Sequence, residues 1–452
     1  MTSDRERADD VYDLLLGRQG EQWVQPRIER TQKLLDYLDN PQRTYRVVHV
    51  TGTNGKTSTS RVIESILRAH GLRTGLFTSP HLERFTERIM IDGLPVTDAA
   101  LVAAWDEIEP FVGIVDAELT AAGDAELTFF ELLTVLAFVV CADAPVDVLV
   151  LEVGMGGLWD STNTADGDVA VFAPIDIDHA ARLGDTVEKV ATIKAGIIKD
   201  DAVVVSARQA AEAARVLTAA ADARTASISF EGDGFALTEA KLAVGGQLIS
   251  VRGLAGTYDE LYLPLYGAHQ GQNAALAIAA VEGLIGGGER PLSADVLAEG
   301  LATVTSPGRA QLIGTDPTVI VDAAHNPHGV RALTATLREY FDFDEWGVVL
   351  GVLDDKDAVG IVAELADLST QVFATAPTSD RATDVDALAD VLEAHGMPVA
   401  IYGDVGAAAD AARAWAAEAE RRAVVITGSV VLAGEAIGIA AEEGWKPVVE
   451  SE

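Results

Sequence analysis

Val47-Val48-His49-Val50-Thr51-Gly52-Thr53-Asn54-Gly55-Lys56-Thr57-Ser58 reads as an apolar strand, a tight turn and the start of a helix. The helix runs from Thr57 to about His70, with Gly71 as its stop. Gly52 and Gly55 let the backbone curl so that successive N–H groups converge on one point. The helix N-terminus adds partial positive charge there, and Lys56 adds a full one. The turn is therefore a phosphate cradle, with Gly52, Thr53, Asn54, Gly55, Lys56, Thr57 and Ser58 as its binding residues. Its spacing departs from the common P-loop, which would need a glycine where Val50 stands. Strand, turn, Lys-Thr-Ser and helix together favour a nucleoside triphosphate site over a purely structural turn.

A chain of 452 residues exceeds one ordinary core, so two domains are expected. Its longest apolar run, Leu132 to Ala142, is too short to span a bilayer. The opening Met1-Thr2-Ser3-Asp4-Arg5 has no apolar signal core, so a cytoplasmic protein is expected. Cys141 is the single cysteine, which excludes an internal disulfide and fits a small buried hydrophobe in a reducing cytosol.

Seventy acidic residues stand against 33 basic ones, a net charge of −37. Such a surface repels nucleic acid and anionic membranes, so small molecules are the expected partners, and a monomer is expected. In molar salt the Debye length falls to about 3 Å and self-repulsion is screened. Only eight of the 33 basic residues are lysines, and this balance resembles halophilic proteins, with specific cation binding (K+ included) adding to the screening.

From Tyr45 to about Thr305 strands and helices alternate, as in a parallel α/β sheet. Strands are expected at Tyr45–Val50, Arg73–Phe77, Val146–Leu151, Val169–Pro174 and Ala202–Ser206. Residues 226–265 read as a small antiparallel patch. The run Thr303–Gly308 reads as a linker, after which a smaller Rossmann-like α/β domain begins. Its first strand lacks G-x-G-x-x-G, so a dinucleotide site is not supported. The expected division is 1–305, a P-loop ATP-binding domain, and 306–452, the smaller domain.

Chemistry-bearing residues gather at strand ends. Glu152 closes the apolar run Asp147–Leu151, beside the phosphate loop, where ligands of open parallel sheets bind. It is suited to magnesium. His179 follows the next strand and is suited to a second metal. Lys194 falls on an apolar stripe with Val190, Ile193, Ile197 and Ile198. Burial there would lower its pKa and leave an amine able to add carbon dioxide, although a lysine snorkelling to the helix edge is the simpler expectation. Arg309 and His325 are donors suited to a triphosphate across a cleft, and Asp322 is suited to ribose hydroxyls.

Taken together the motifs resemble the folylpolyglutamate synthase/dihydrofolate synthase family of the Mur-ligase superfamily. They are Thr51–Lys56, Thr78–Leu82 with Glu87-Arg88, Thr128-Phe-Phe-Glu131, Leu151–Gly157 with Asp160–Asn163, Asp178-His179 with Leu183-Gly184, and Lys194-Ala-Gly196. His269-Gln270 with Gln272–Ala275, Pro307-Gly-Arg309, Asp322–Pro327, Asp355-Lys-Asp357 and Thr427-Gly-Ser429 follow in family order. The resemblance implies an ATP-dependent ligase that joins L-glutamate to dihydropteroate or to the glutamate tail of a reduced folate through an acyl phosphate. A Mur-type amino-acid ligase acting on another carboxylate is the alternative, although its usual preceding domain has no room before residue 51. A P-loop switch protein is disfavoured by the lack of a guanine-reading Asn-Lys-x-Asp. The resemblance further implies that Ser79 and Glu152 hold one magnesium ion, and that Glu152, His179 and carbamylated Lys194 hold a second. Asn273 would contact adenine, and Phe129 and Phe130 would lie near the pterin. His81 and Arg88, with Arg84 nearby, would steer an anionic acceptor. Leu158 stands where an arginine is usual, and Thr57 where a glycine is more common.

Overall fold

The computed structural model describes residues 3–19 and 27–445. Its larger sheet is built around β1 (Arg46–Thr51), whose apolar residues are buried from Val47 onward. Burial on both faces explains the near-continuous Val run, because helices cover each side of a parallel sheet. With β2 (Thr74–Phe77), β3 (Ile89–Ile91), β4 (Leu94–Pro95), β5 (Val148–Glu152), β6 (Val169–Phe172), β7 (Val203–Ser206) and β8 (Ser227–Phe230) it forms the order β4-β3-β2-β5-β1-β6-β7-β8. All pairings are parallel except those of β3, which runs antiparallel to β2 and β4.

The chain leaves β1 through helix Lys56–Ala69 toward β2, while β6 lies on the other side of β1. Strand order reverses there, and a crevice opens at the strand C-termini. Register fixes what meets at that edge: Val50 pairs with Glu152 and Thr51 with Phe172. One face of the sheet is covered by Lys56–Ala69 and the Ala-rich helix Ala268–Gly286. Small side chains on the latter allow close packing. The other face carries Asp98–Ala121 and Phe129–Asp143. The apolar run from Leu132 lies inside that second helix, and Cys141 is fully buried, its thiol pushed up to about 12 by burial.

A separate antiparallel sheet comprises β9 (Ala236–Ala243), β10 (Gly246–Arg252) and β11 (Thr257–Leu263). The expected antiparallel patch at 226–265 therefore began too early. Ser227–Phe230 follows helix Ala211–Ala223 and returns parallel to β7 as the edge of the large sheet. Short alternating runs cannot distinguish such an edge strand from a hairpin strand.

The second half has its own six-stranded sheet. Its strands are β12 (Gln311–Thr315), β13 (Thr318–Val321), β14 (Glu345–Leu350), β15 (Ser369–Ala374), β16 (Val399–Ile401) and β17 (Arg422–Thr427), in the order β12-β13-β17-β14-β15-β16. Only β12 is antiparallel. Apolar clusters fill both of its faces. Among the described residues no helix is long and apolar enough to cross a membrane.

Candidate active site

A cavity of about 980 Å³ lies where the C-terminal edge of the large sheet meets the second half of the chain. Each of its walls is built by a recognisable local device.

The phosphate loop forms the floor. Gly55 has φ +82°, and a Cβ there would stand 2.8 Å from Asn273 Oδ1, so the close approach of loop and helix needs glycine. Asn273 in turn donates to Gln270 Oε1 at 3.1 Å. Lys56 Nζ curls over the loop and donates to the Gly52 and Thr53 carbonyls at 3.2 and 3.3 Å. These are long, replaceable contacts that anionic oxygens would outcompete. Thr57 Oγ1 donates to Glu152 Oε1 at 2.9 Å.

Glu152 is 1% exposed, and its Oε2 has no hydrogen-bond partner. Burial raises its pKa to about 7, against the opposing pull of Lys56. A buried carboxylate oxygen left open at a phosphate loop suits magnesium, which binds through one or two carboxylates plus substrate phosphates and water. Among the described residues no group of three His, Cys, Asp or Glu side chains could hold a metal without such help. Ser79 lines the same cavity beside Glu152, and its backbone N–H adds a small downward pull on that carboxyl.

Lys194 does not snorkel. It is 3% exposed, and its Nζ donates to Gly52 O at 2.8 Å, which ties its helix to the phosphate loop. Burial, reinforced by Lys56, lowers it to about 7. His179 lines the cavity as an exposed residue at φ +50°, with its Nε2 3.9 Å from Asp178.

From the second half come Arg309, Asp322 and His325. Both Asp322 oxygens accept backbone bonds, from Ala310 N at 2.7 Å and Ala324 N at 2.8 Å, so the carboxylate organises the strand end as well as facing the cavity. His325 Nδ1 lies 3.0 Å from Ala323 O. A carbonyl only accepts, so Nδ1 carries the proton and Nε2 is an acceptor. Burial first, then Lys356, lowers this imidazole to about 4. His325 is thus neutral near pH 7, with Nε2 the nitrogen left without a proton.

The remaining wall is aromatic and basic. Thr128 and Glu131 form a capping box: Thr128 N donates to Glu131 Oε2 at 2.7 Å, and Glu131 N donates to Thr128 Oγ1 at 3.4 Å. The box fixes Phe129 and Phe130 in the first turn, but on different sides. Phe130 lines the cavity and lies so close to Gly154 that a Cβ there would meet its ring at 2.4 Å. Phe129 is 3% exposed and belongs to the core, with the Arg88 guanidinium 5.3 Å above its ring. It does not line the cavity, which corrects the expectation that both rings do, and successive helical positions explain why. Arg88 Nε donates to His81 Nδ1 at 2.8 Å, so burial and Arg88 leave His81 lowered to about 3. Exposed Arg84 instead pairs with half-buried Asp98 at 2.9 Å, outside the cavity.

Tyr12 and Arg27 also line this wall. Nothing in the polar N-terminal stretch marks them, because they arrive through folding: Tyr12 stacks on Phe85 with centroids 4.8 Å apart, and Arg27 pairs with Asp124. Lys356 and Arg381 complete the rim beside His325. Lys356 was visible only as part of Asp355-Lys-Asp357.

Comparison with known proteins agrees with this geometry. The Mur ligase middle domain model matches residues 50–281, and the Mur ligase glutamate ligase domain model matches 308–430. A dihydrofolate synthase/folylpolyglutamate synthase of Mycobacterium tuberculosis is 43% identical over 94% of this chain and 92% of that protein. A probable bifunctional folylpolyglutamate synthase/dihydropteroate synthase of Haloferax volcanii is 35% identical over 91% of this chain and 48% of that longer protein. The structure of the Mycobacterium tuberculosis folylpolyglutamate synthase complexed with ADP superposes with a TM-score of 0.92 at 42% identity, covering 97% of this chain and 99% of that one. The chain belongs to the folylpolyglutamate synthase/dihydrofolate synthase family, within the Mur ligases.

Proposed function

We propose that this cleft forms the amide through an acyl phosphate, accepting both dihydropteroate and the glutamate tail of a reduced folate. The chain is an ATP-dependent acid–amino-acid ligase that adds glutamate to a pterin or folate acceptor. The observation that carries the mechanism is the presence in one cavity of a phosphate loop, the open Glu152 oxygen, and a wall holding Phe130, His81, Arg88 and Arg27.

In this reading residues 1–305 hold nucleotide and acceptor, and 306–452 close over them. The acceptor carboxylate attacks the γ-phosphorus of ATP and ADP departs. The glutamate amine then attacks the acyl carbon, phosphate leaves, and the amine loses a proton. Lys56 and the loop N–H groups offset charge on the phosphates during transfer. Asn273 and Asp322 serve adenine and ribose, and Arg309 reaches the phosphates. Neutral His325 offers Nε2 as an acceptor for the proton that the amine must lose. Glu152 and Ser79 would hold magnesium, which when bound further neutralises the phosphates. A second ion would lie with Glu152, His179 and Lys194, the lysine as a carbamate formed when its neutral amine adds carbon dioxide and releases a proton. Phe130 offers a face for the flat pterin. Closure keeps water from the acyl phosphate. The protein works as a monomer in the cytosol, where its single free thiol stays reduced.

The test is ADP release and product mass with dihydropteroate and, separately, tetrahydrofolate, each with L-glutamate. Product from both is expected. No product from dihydropteroate would leave polyglutamylation alone, and none from either would overturn the folate reading.

A further inference from the structure

Asn54 stands in the turn of the phosphate loop, yet both ends of its side-chain amide are engaged by residues of the second half. Asn326 Nδ2 donates to Asn54 Oδ1 at 3.2 Å, and Asn54 Nδ2 lies 2.9 Å from His328 Nδ1. One backbone group sets the direction of both bonds. Gly329 N donates to Asn326 Oδ1 at 2.8 Å, which makes Asn326 the N-cap of helix Pro327–Tyr340. A backbone N–H only donates, so the Asn326 oxygen faces the helix and its NH2 faces Asn54. Asn54 must then present its oxygen to Asn326 and its NH2 to His328. His328 Nδ1 is the acceptor, and its proton sits on Nε2. A single consistent arrangement therefore runs from a helix cap in one half to the phosphate loop in the other.

The helix that starts at Pro327 follows directly on His325, and Asn54 is two residues before Lys56. Any movement that separates the halves must break the Asn54 bonds. We propose that Asn54, Asn326 and His328 form a latch, three positioning residues that set the phosphate loop for transfer only when the second half is seated upon it. This rests on the ligase reading above. The latch makes the loop register closure directly, so that phosphoryl transfer is favoured when the cleft is sealed against water. Weakening it leaves Lys56 and the loop backbone able to bind ATP, but lets the acyl phosphate meet water before glutamate does.

His328 is exposed, so its replacement tests the latch without disturbing a core. His328→Ala removes the acceptor, while His328→Gln supplies a side-chain oxygen that can accept from Asn54. The experiment measures kcat, the KM for ATP, and ADP released per amide formed, for the full chain and both variants. His328→Ala should lower kcat for ligation about three- to tenfold, the scale of one neutral hydrogen bond. It should leave the KM for ATP within about twofold, and raise ADP released per amide. His328→Gln should recover most of both losses. Equal behaviour of the Ala and Gln variants, or an Ala variant indistinguishable from the unmodified chain, would overturn the latch. Failure of the unmodified chain to form amide would instead sink the ligase reading, so the two failures are distinguishable.

Discussion

The two sides of the cleft are built on different principles. The phosphate side is made of short contiguous motifs at the ends of adjacent parallel strands: Gly52–Ser58 after β1 and Glu152 at the end of β5, brought level by the Val50–Glu152 register. The side proposed for the acceptor is assembled from Tyr12, Arg27, the short His81–Arg88 segment and Phe130, which lie far apart in the chain. Charge placed by strand register is expected to govern the chemical step. Surface gathered from scattered elements is expected to govern which acceptor binds. Substitutions on the two sides should therefore fail in different ways.

The largest effect is expected at Lys56. Lys56→Ala removes the loop's only cation, and kcat should fall by about a thousandfold or more. Ligation by that variant at close to the unmodified rate would remove the phosphate side from the mechanism. Next comes Lys194→Ala, for which a loss of about a hundredfold is expected if a carbamate holds a metal. Formate or acetate should restore part of the activity by entering the vacated space. Mass spectrometry under carbon dioxide, or a high-resolution structure with nucleotide and magnesium, checks the modification itself; an unmodified ammonium there would refute it.

Phe129 and Phe130 divide the acceptor side into scaffold and surface. Phe129→Ala empties a core site and should cost about 3–5 kcal/mol of stability, read as a lower Tm. Phe130→Ala should leave Tm nearly unchanged but raise the KM for the pterin acceptor about three- to tenfold, with kcat less affected. Reversed phenotypes would break the assignment.

These outcomes also bear on what the sequence makes legible. Gly52–Ser58 and Glu152 could be read because each lies at an element end fixed by local pattern. The stripe around Lys194 alone favoured a snorkelling lysine, and the burial of that side chain against Gly52 O came only with the fold. The capping box around Phe129 and Phe130 was equally local, but which ring faces the cavity depends on how the helix lies against Phe77 and Gly154. Tyr12 and Arg27 carry no local signal at all, since a tyrosine and an arginine in a polar helical stretch look like any solvated face. The neutral state of His325 depends on burial that no linear pattern shows and then on Lys356, against the opposing pull of Ala323 O, which fixes the tautomer. Ser227–Phe230 was misplaced for a related reason, because its partner β7 is decided by the crossover helix rather than by its own residues.

The smallest and broadest effect concerns the surface rather than either side of the cleft. With a net charge of −37, stability and activity should rise from dilute buffer toward molar potassium chloride, by a few degrees in Tm. A melt series with its maximum in dilute buffer would contradict the screening account.

The most direct test of the central claim follows one oxygen atom. If the acceptor carboxylate attacks the γ-phosphorus, and glutamate then displaces phosphate, an acceptor labelled with oxygen-18 in that carboxylate must give one labelled oxygen to each phosphate released. The account expects one such atom per amide formed, measured by mass spectrometry of the inorganic phosphate. Unlabelled phosphate accompanying normal amide formation would show that no acyl phosphate lies on the path, and would contradict the mechanism assigned to this cleft.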